Sequence, residues 1–193
     1  MTTIKRLGRF TIGLLAALFV FGFVPANSVV AAAATAPAPT PSLVVQDRSH
    51  DNDSPDNQFY ALFQILDNGT SAVPMSSLTM RFWFTNETPS DPLQFACDWA
   101  QVSCANVTAK FVRLTTATTK ANSYAQIGFT SAAGSIAPGT NSGEIQTRIH
   151  HQNWSNFITT DSYSFISDPS FVYKDTQTVT LYLNGVLVWG TEP

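Results

Sequence analysis

Charge is scarce in this sequence. Only 12% of its 193 residues are Asp, Glu, Lys or Arg, and three of the ten basic ones, Lys5, Arg6 and Arg9, stand at the extreme N-terminus. The other seven are scattered among 13 acids. Nucleic acids and anionic membranes are held by clustered Lys and Arg, so neither is an expected partner. Glutamate occurs only at Glu87, Glu144 and Glu192, and no strand end presents the paired acids of a glycosidase. There is no Gly-x-Ser-x-Gly elbow, no His-Glu-x-x-His and no glycine-rich phosphate loop. His150 and His151 are adjacent, and neighbours on a strand point to opposite faces, so they cannot grip one metal together. A chain this short of reactive constellations reads as a binding protein and not an enzyme.

Long apolar runs are lacking as well. Residues 10–24 carry no charge, but they fall short of the roughly 20 residues that span a bilayer. With basic residues before this run and Ala31, Ala32, Ala33 and Ala34 after it, the pattern is that of a secretory signal peptide, residues 1–34. Residues 35–41, Thr-Ala-Pro-Ala-Pro-Thr-Pro, form a proline-stiffened spacer. The folded part is then expected at residues 42–193, long enough for one domain with its own core. Once secreted and cleaved it carries seven basic residues against 13 acids, a net charge of −6.

Cysteine appears twice, at Cys97 and Cys104, in Cys-Asp-Trp-Ala-Gln-Val-Ser-Cys. An even count in an exported chain points to a disulfide, with two free thiols as the other reading. Closing so short a loop contributes about 2–3 kcal/mol in the chain-entropy account.

What the chain does contain is short β segments separated by Ser, Thr, Asn and Gly. Residues 78–84 (Leu-Thr-Met-Arg-Phe-Trp-Phe) and 124–129 (Tyr-Ala-Gln-Ile-Gly-Phe) have the aromatic and β-branched content of strands. Residues 144–150 alternate, with Ile145, Thr147 and Ile149 on one face and Glu144, Gln146, Arg148 and His150 on the other. Residues 179–183 and 186–189 flank Asn184-Gly185, the dipeptide best suited to a type I′ hairpin turn. The fold class is all-β, an antiparallel sandwich, and the pattern alone does not separate a jelly roll from an immunoglobulin-like fold. Trp99, beside Asp98, and Trp154, in Gln-Asn-Trp-Ser-Asn, stand among polar residues. Either they pack on the edge of the sandwich or they are exposed. An exposed indole suits the flat C–H face of a pyranose, which stacks on it by dispersion and apolar burial.

Several ordered motifs carry a closer likeness. Cys97-Asp-Trp-Ala-Gln-Val, Gly143-Glu-Ile-Gln-Thr-Arg-Ile-His, Asn153-Trp-Ser-Asn, Tyr163-Ser-Phe and Leu183-Asn-Gly-Val-Leu-Val-Trp-Gly-Thr-Glu-Pro resemble the family 3 carbohydrate-binding modules. Leu43-Val-Val, Asn57 and Asn68-Gly-Thr-Ser fit in the same order, so the likeness covers residues 43–193. It implies a nine-stranded jelly roll that binds crystalline cellulose or a similar plant cell-wall β-1,4-glucan without catalysis. Such a stand-alone secreted form would act in company with secreted glycoside hydrolases. The alternative is a structural or protein-interaction module of the same fold without cellulose affinity.

By motif position the resemblance puts Asp98, Trp99, Arg148 and Trp154 on a planar sugar-stacking strip. Asp98 and Arg148 would form a flat ion pair there, and Gln146 would anchor a neighbouring chain. A further strip tyrosine of some members lies in a longer loop, where this sequence has only residues 103–107, so that contact is absent. Arg81, Tyr124 and Tyr163 match a shallow groove on the opposite sheet. A structural calcium would fall to Thr85, Glu87, the carbonyl of Ile158, Asp161 and Ser162. Here the chain departs from the family, which favours Asp, Asn and Asp at positions 87, 161 and 162. The Asp- and Asn-rich residues 47–57 lack the Gly and closing Glu of an EF-hand loop and read as a solvated loop.

Overall fold

Alternating apolar and polar side chains dictate strands with one inward and one outward face. The computed structural model describes residues 42–48 and 52–193; the signal peptide and spacer expected at residues 1–41 lie outside the described residues. The described strands are β1 (Leu43–Arg48), β2 (Gln58–Asp67), β3 (Val73–Pro74), β4 (Leu78–Phe84), β5 (Leu93–Ala100), β6 (Val107–Arg113), β7 (Ser123–Phe129), β8 (Ser135–Ile136), β9 (Thr140–Asn141), β10 (Ile145–His151), β11 (Lys174–Asp175), β12 (Val179–Leu183) and β13 (Val186–Trp189). Nine of them have four or more residues, as the resemblance implies. One sheet runs β11-β1-β2-β10-β5, with β9 also beside β2, and the other runs β13-β12-β4-β7-β6. Every pairing is antiparallel, and the two sheets form a jelly-roll sandwich.

The core lies between them. Phe59, Ala61, Phe63 and Ile65 of β2, Leu78, Met80, Phe82 and Phe84 of β4, and Ile145 and Ile149 of β10 are buried at alternate positions. Phe59 is the hub, its ring 5.4 Å from Phe82, 5.6 Å from Phe84 and 4.6 Å from Phe157. Phe157 arrives from the segment after β10 and exchanges backbone hydrogen bonds of 3.1 and 2.7 Å with Asp56. That exchange fixes where the preceding residues, including Trp154, leave the sheet. At the C-terminal hairpin both turn residues have positive φ, 51° at Asn184 and 81° at Gly185, which a type I′ turn requires.

One expectation fails. Asp47 is no part of a solvated loop: it lies in β1, opposite Phe63 of β2, and is 2% exposed. Strand alternation turns it inward, and composition gave no hint of that. Burial lifts its carboxyl well above the usual range, against a lowering hydrogen bond from the Arg48 backbone. An acid with a raised folded-state pKa contributes stability that is complete below its unfolded value, about 3.9, and lost as pH rises through the folded value. The melting temperature should therefore fall as pH is raised from about 4 toward neutrality, and Asp47→Asn should flatten that slope. Thermal melts of both proteins across this range check it, and equal slopes would clear Asp47 as the cause.

Candidate functional site

The site is built on the outward face of β10. Gln146 and Arg148 alternate with the buried Ile145, Thr147 and Ile149, so both point away from the core. On the neighbouring β5, Thr147 faces Cys97 while Gln146 faces Trp99, which leaves Asp98 as one extra residue. Without this bulge, Asp98 and Trp99 would point to opposite sides of the sheet. With it, both consecutive side chains are delivered to the outer face. Arg148 donates through Nε and Nη2 to the two carboxylate oxygens of Asp98, each at 2.7 Å. This closes a flat, bidentate ring that only a planar guanidinium can make. The Asp98 hydrogen bonds raise the Arg148 pKa against the opposing effect of burial. Both side chains remain 31% exposed, and a pair so placed adds only about 0–1 kcal/mol to folding.

Trp154 is aimed by strain and stacking. It adopts φ of 61°, a left-handed conformation that costs a non-glycine residue about 1–3 kcal/mol. A hydrogen bond from its N–H to the His151 carbonyl at 3.0 Å holds that turn, followed by one from Ser155 N–H to Asn153 Oδ1 at 2.8 Å. The indole then lies flat on the His150 imidazole, centroids 3.9 Å apart and planes within 4°. His150 is itself fixed by donating from Nδ1 to the His151 carbonyl at 2.8 Å. One indole face is thus covered and the other open. From beneath, His151 is wholly buried, 4.1 Å from the Phe157 ring, with Nδ1 3.0 Å from the Ser155 carbonyl.

Trp99 is 45% exposed and Trp154 46% exposed, which decides between edge packing and exposure. Asp98, Trp99, Gln146, Arg148 and Trp154 all lie on one sheet face. His150 was missed as a participant. Strand alternation alone placed it on the Arg148 face, but its stacking partner comes from a turn that no periodicity encodes. Cys97 and Cys104 form the disulfide, with Cα atoms 5.5 Å apart. It ties β5 to the 3-10 turn Cys104–Asn106 and encloses the bulge.

On the opposite sheet, Arg81 points outward from β4 with its guanidinium 4.7 Å from the Tyr124 ring, 5.6 Å from Trp83 and 4.1 Å from Tyr182. Its Nη1 donates to the Tyr182 hydroxyl at 3.0 Å and to Glu192 at 2.9 Å. Burial first, and a hydrogen bond to Glu192 second, push the Tyr182 phenol up to about 12. Tyr163 lines a depression with Thr118, Thr119, Lys120 and Pro193. Trp83 and Tyr182 are each only 4% exposed and pack against the Arg81 head group, while Glu192 is its carboxylate partner; none of the three was read from the sequence as part of this cluster.

The two distant segments that carry the five positions matched to calcium, residues 85–87 and 158–162, lie against one another. Thr85 Oγ1 donates to the Asp161 carbonyl at 2.8 Å, Thr85 N–H to Ser162 Oγ at 3.1 Å, and Ile158 N–H to a Glu87 carboxylate oxygen at 3.0 Å. The donors are all oxygens, and the Glu87 and Asp161 side chains lie at the surface, which fits a hard cation. Among the described residues no three His, Cys, Asp or Glu side chains gather to hold a metal, and the Ile158 carbonyl already accepts from the Asp161 N–H at 2.9 Å. No helix of the described residues is long and apolar enough to cross a membrane.

Residues 44–190 match the family model of the family 3 cellulose binding domain. The chain belongs to the family 3 carbohydrate-binding modules. This module is similar to endoglucanase A of Paenibacillus lautus, 43% identical over 152 residues, covering 78% of the chain but only 21% of that enzyme. It is also similar to an uncharacterised protein in the celA 5′ region of the same species, 40% identical over 149 residues, 77% of the chain and 100% of that protein. Among solved structures it resembles the family 3b module of the major scaffoldin subunit of Acetivibrio cellulolyticus. That match has a TM-score of 0.74 and 33% identity, and covers 79% of this chain and 97% of the other.

Proposed function

We propose that the module binds crystalline cellulose, or a closely similar plant cell-wall β-1,4-glucan, through the β10 face and without catalysis. The observation that carries this reading is one sheet face holding two half-exposed indoles, Trp99 and Trp154, with the planar Asp98–Arg148 ring. Pyranose faces carry C–H groups and stack on such planes, while the sugar rim hydroxyls bond to polar neighbours such as Gln146. The platforms are set by a bulge, a disulfide and a stacked imidazole, so little ordering entropy opposes binding. The module acts outside the cell, on the substrate of secreted glycoside hydrolases, in keeping with the endoglucanase relative. Depletion of the protein from solution by microcrystalline cellulose tests the reading, with chitin and xylan alongside; a protein left wholly in solution by cellulose overturns it.

We further propose that Thr85, Glu87, Ile158, Asp161 and Ser162 hold a structural calcium. A cation bound only by the folded state adds RT ln(1 + [L]/Kd) to stability, about 2.7 kcal/mol at a hundredfold excess over Kd. EDTA should then lower the melting temperature, and Glu87→Gln should shrink the calcium effect more than Asp161→Asn. Cellulose binding should change little, because these residues stand off the β10 face. Identical melts in calcium and EDTA, with no metal in the purified protein, would count against the site.

A further inference from the structure

Outward side chains along β10 recur every second residue, and each meets a flat partner. His150 lies under Trp154, Arg148 rings with Asp98, and Gln146 stands opposite Trp99. One step further along, Glu144 pairs with Arg48 of β1, Oε1 to Nη2 at 2.5 Å. Two residues of extended chain span about 6.8 Å, so the four stations at His150, Arg148, Gln146 and Glu144 are spaced over about 20 Å along the strand direction, with the partners Asp98 and Trp99 on the β5 side and Arg48 on the β1 side.

The fourth station repeats the chemistry of the second. Arg48 and Glu144 are 31% and 27% exposed, close to the 31% of both Arg148 and Asp98. The Arg48 guanidinium lies over the Tyr173 ring, 5.4 Å from its centre, a looser aromatic contact than the 3.9 Å stack of Trp154 on His150. Burial, then the Glu144 charge, keep the Tyr173 phenol protonated, its pKa raised well above the ordinary value. Register places Arg48 in one row with Leu62, Gln146 and Trp99 across β1, β2, β10 and β5. Its head group thus crosses above the buried Leu62 toward Glu144. Beside it runs a row of planar side chains, Gln64 donating to Gln46 at 2.6 Å and Gln46 to Asp175 at 2.8 Å. The pair is not needed to hold β1, which is laddered to β2 along all six of its residues.

We propose that the Arg48–Glu144 pair, backed by Tyr173, is a fourth sugar-stacking station that takes one more glucose residue beyond Trp99. This rests on the cellulose reading of the β10 face and lengthens the stretch of glucan that the module grips. The test measures affinity for microcrystalline cellulose and for soluble cello-oligosaccharides of increasing length. The proteins compared are the parent, Arg48→Ala, Arg48→Lys, Glu144→Gln and, as a reference, Trp154→Ala, each with its melting temperature. Arg48→Ala and Glu144→Gln should bind roughly three- to tenfold more weakly, and their affinity should stop rising one glucose earlier than the parent's. Arg48→Lys, which can still make a salt bridge but has no planar fork, should fail to restore it. Parent-like binding by Arg48→Ala and Glu144→Gln, or full rescue by Arg48→Lys, would overturn the fourth station while Trp154→Ala still shows the loss due to the strip. A parent protein that binds neither cellulose nor its oligosaccharides would overturn both readings.

Discussion

Trp154→Ala and Trp99→Ala should each weaken binding to crystalline cellulose by roughly ten- to a hundredfold, with melting temperatures within a few degrees of the parent. The scale follows from what a stacked ring contributes, about 1–3 kcal/mol for burying an aromatic face, and a factor of ten is 1.4 kcal/mol. The fold should survive because neither indole is part of the core: they are 45% and 46% exposed, while Phe59, Phe63 and Phe84 between the sheets are 2% exposed or less. Alanine at position 154 retains the backbone N–H that bonds the His151 carbonyl and holds the turn, and unlike glycine it adds little backbone freedom. The loss then reports the ring and not a remodelled turn. Adsorption isotherms and thermal melts of both variants decide it. Parent-like adsorption by either would remove that ring from the binding surface.

Breaking the Cys97–Cys104 bond should cost stability and binding together. A crosslink closing so short a loop contributes about 2–3 kcal/mol, which in a domain of this size is about 5–10 °C in melting temperature. The Cys97→Ser/Cys104→Ser double variant also places hydroxyls where both sulfurs pack against the core, so its loss should be at the upper end. Asp98 and Trp99 sit inside the clipped loop. Without the clip the bulge that turns both outward is held by fewer constraints, and affinity should fall as well. Melts and isotherms with and without reductant, together with mass spectrometry of the native protein, check this. Unchanged melting on complete reduction would contradict it.

The fold was legible because strand periodicity is local. Residues 78–84, 179–183 and 186–189 coincide with β4, β12 and β13, and the alternation of residues 144–150 put Gln146 and Arg148 on the outer face. The Asn184-Gly185 turn was legible for the same reason, since its φ values depend on two residues. What escaped depends on pairing between distant segments. A single extra residue at Asp98 reverses the face on which simple alternation would place it relative to Trp99, and only the register against β10 reveals it. The His150–Trp154 stack depends on a strained turn, and the Arg48–Glu144 pair joins residues 96 apart in the chain. Asp47 shows the converse, since an acid in a polar-looking segment was carried inward by the strand it belongs to.

The most direct measurement is depletion by microcrystalline cellulose of the parent protein and of the Trp99→Ala/Trp154→Ala double variant, side by side at matched concentration. The β10 face predicts that the parent leaves solution and the double variant stays in it, with both melting cooperatively at similar temperatures. A parent protein that remains in solution, or a double variant depleted to the same extent, contradicts the assignment of this face to cellulose.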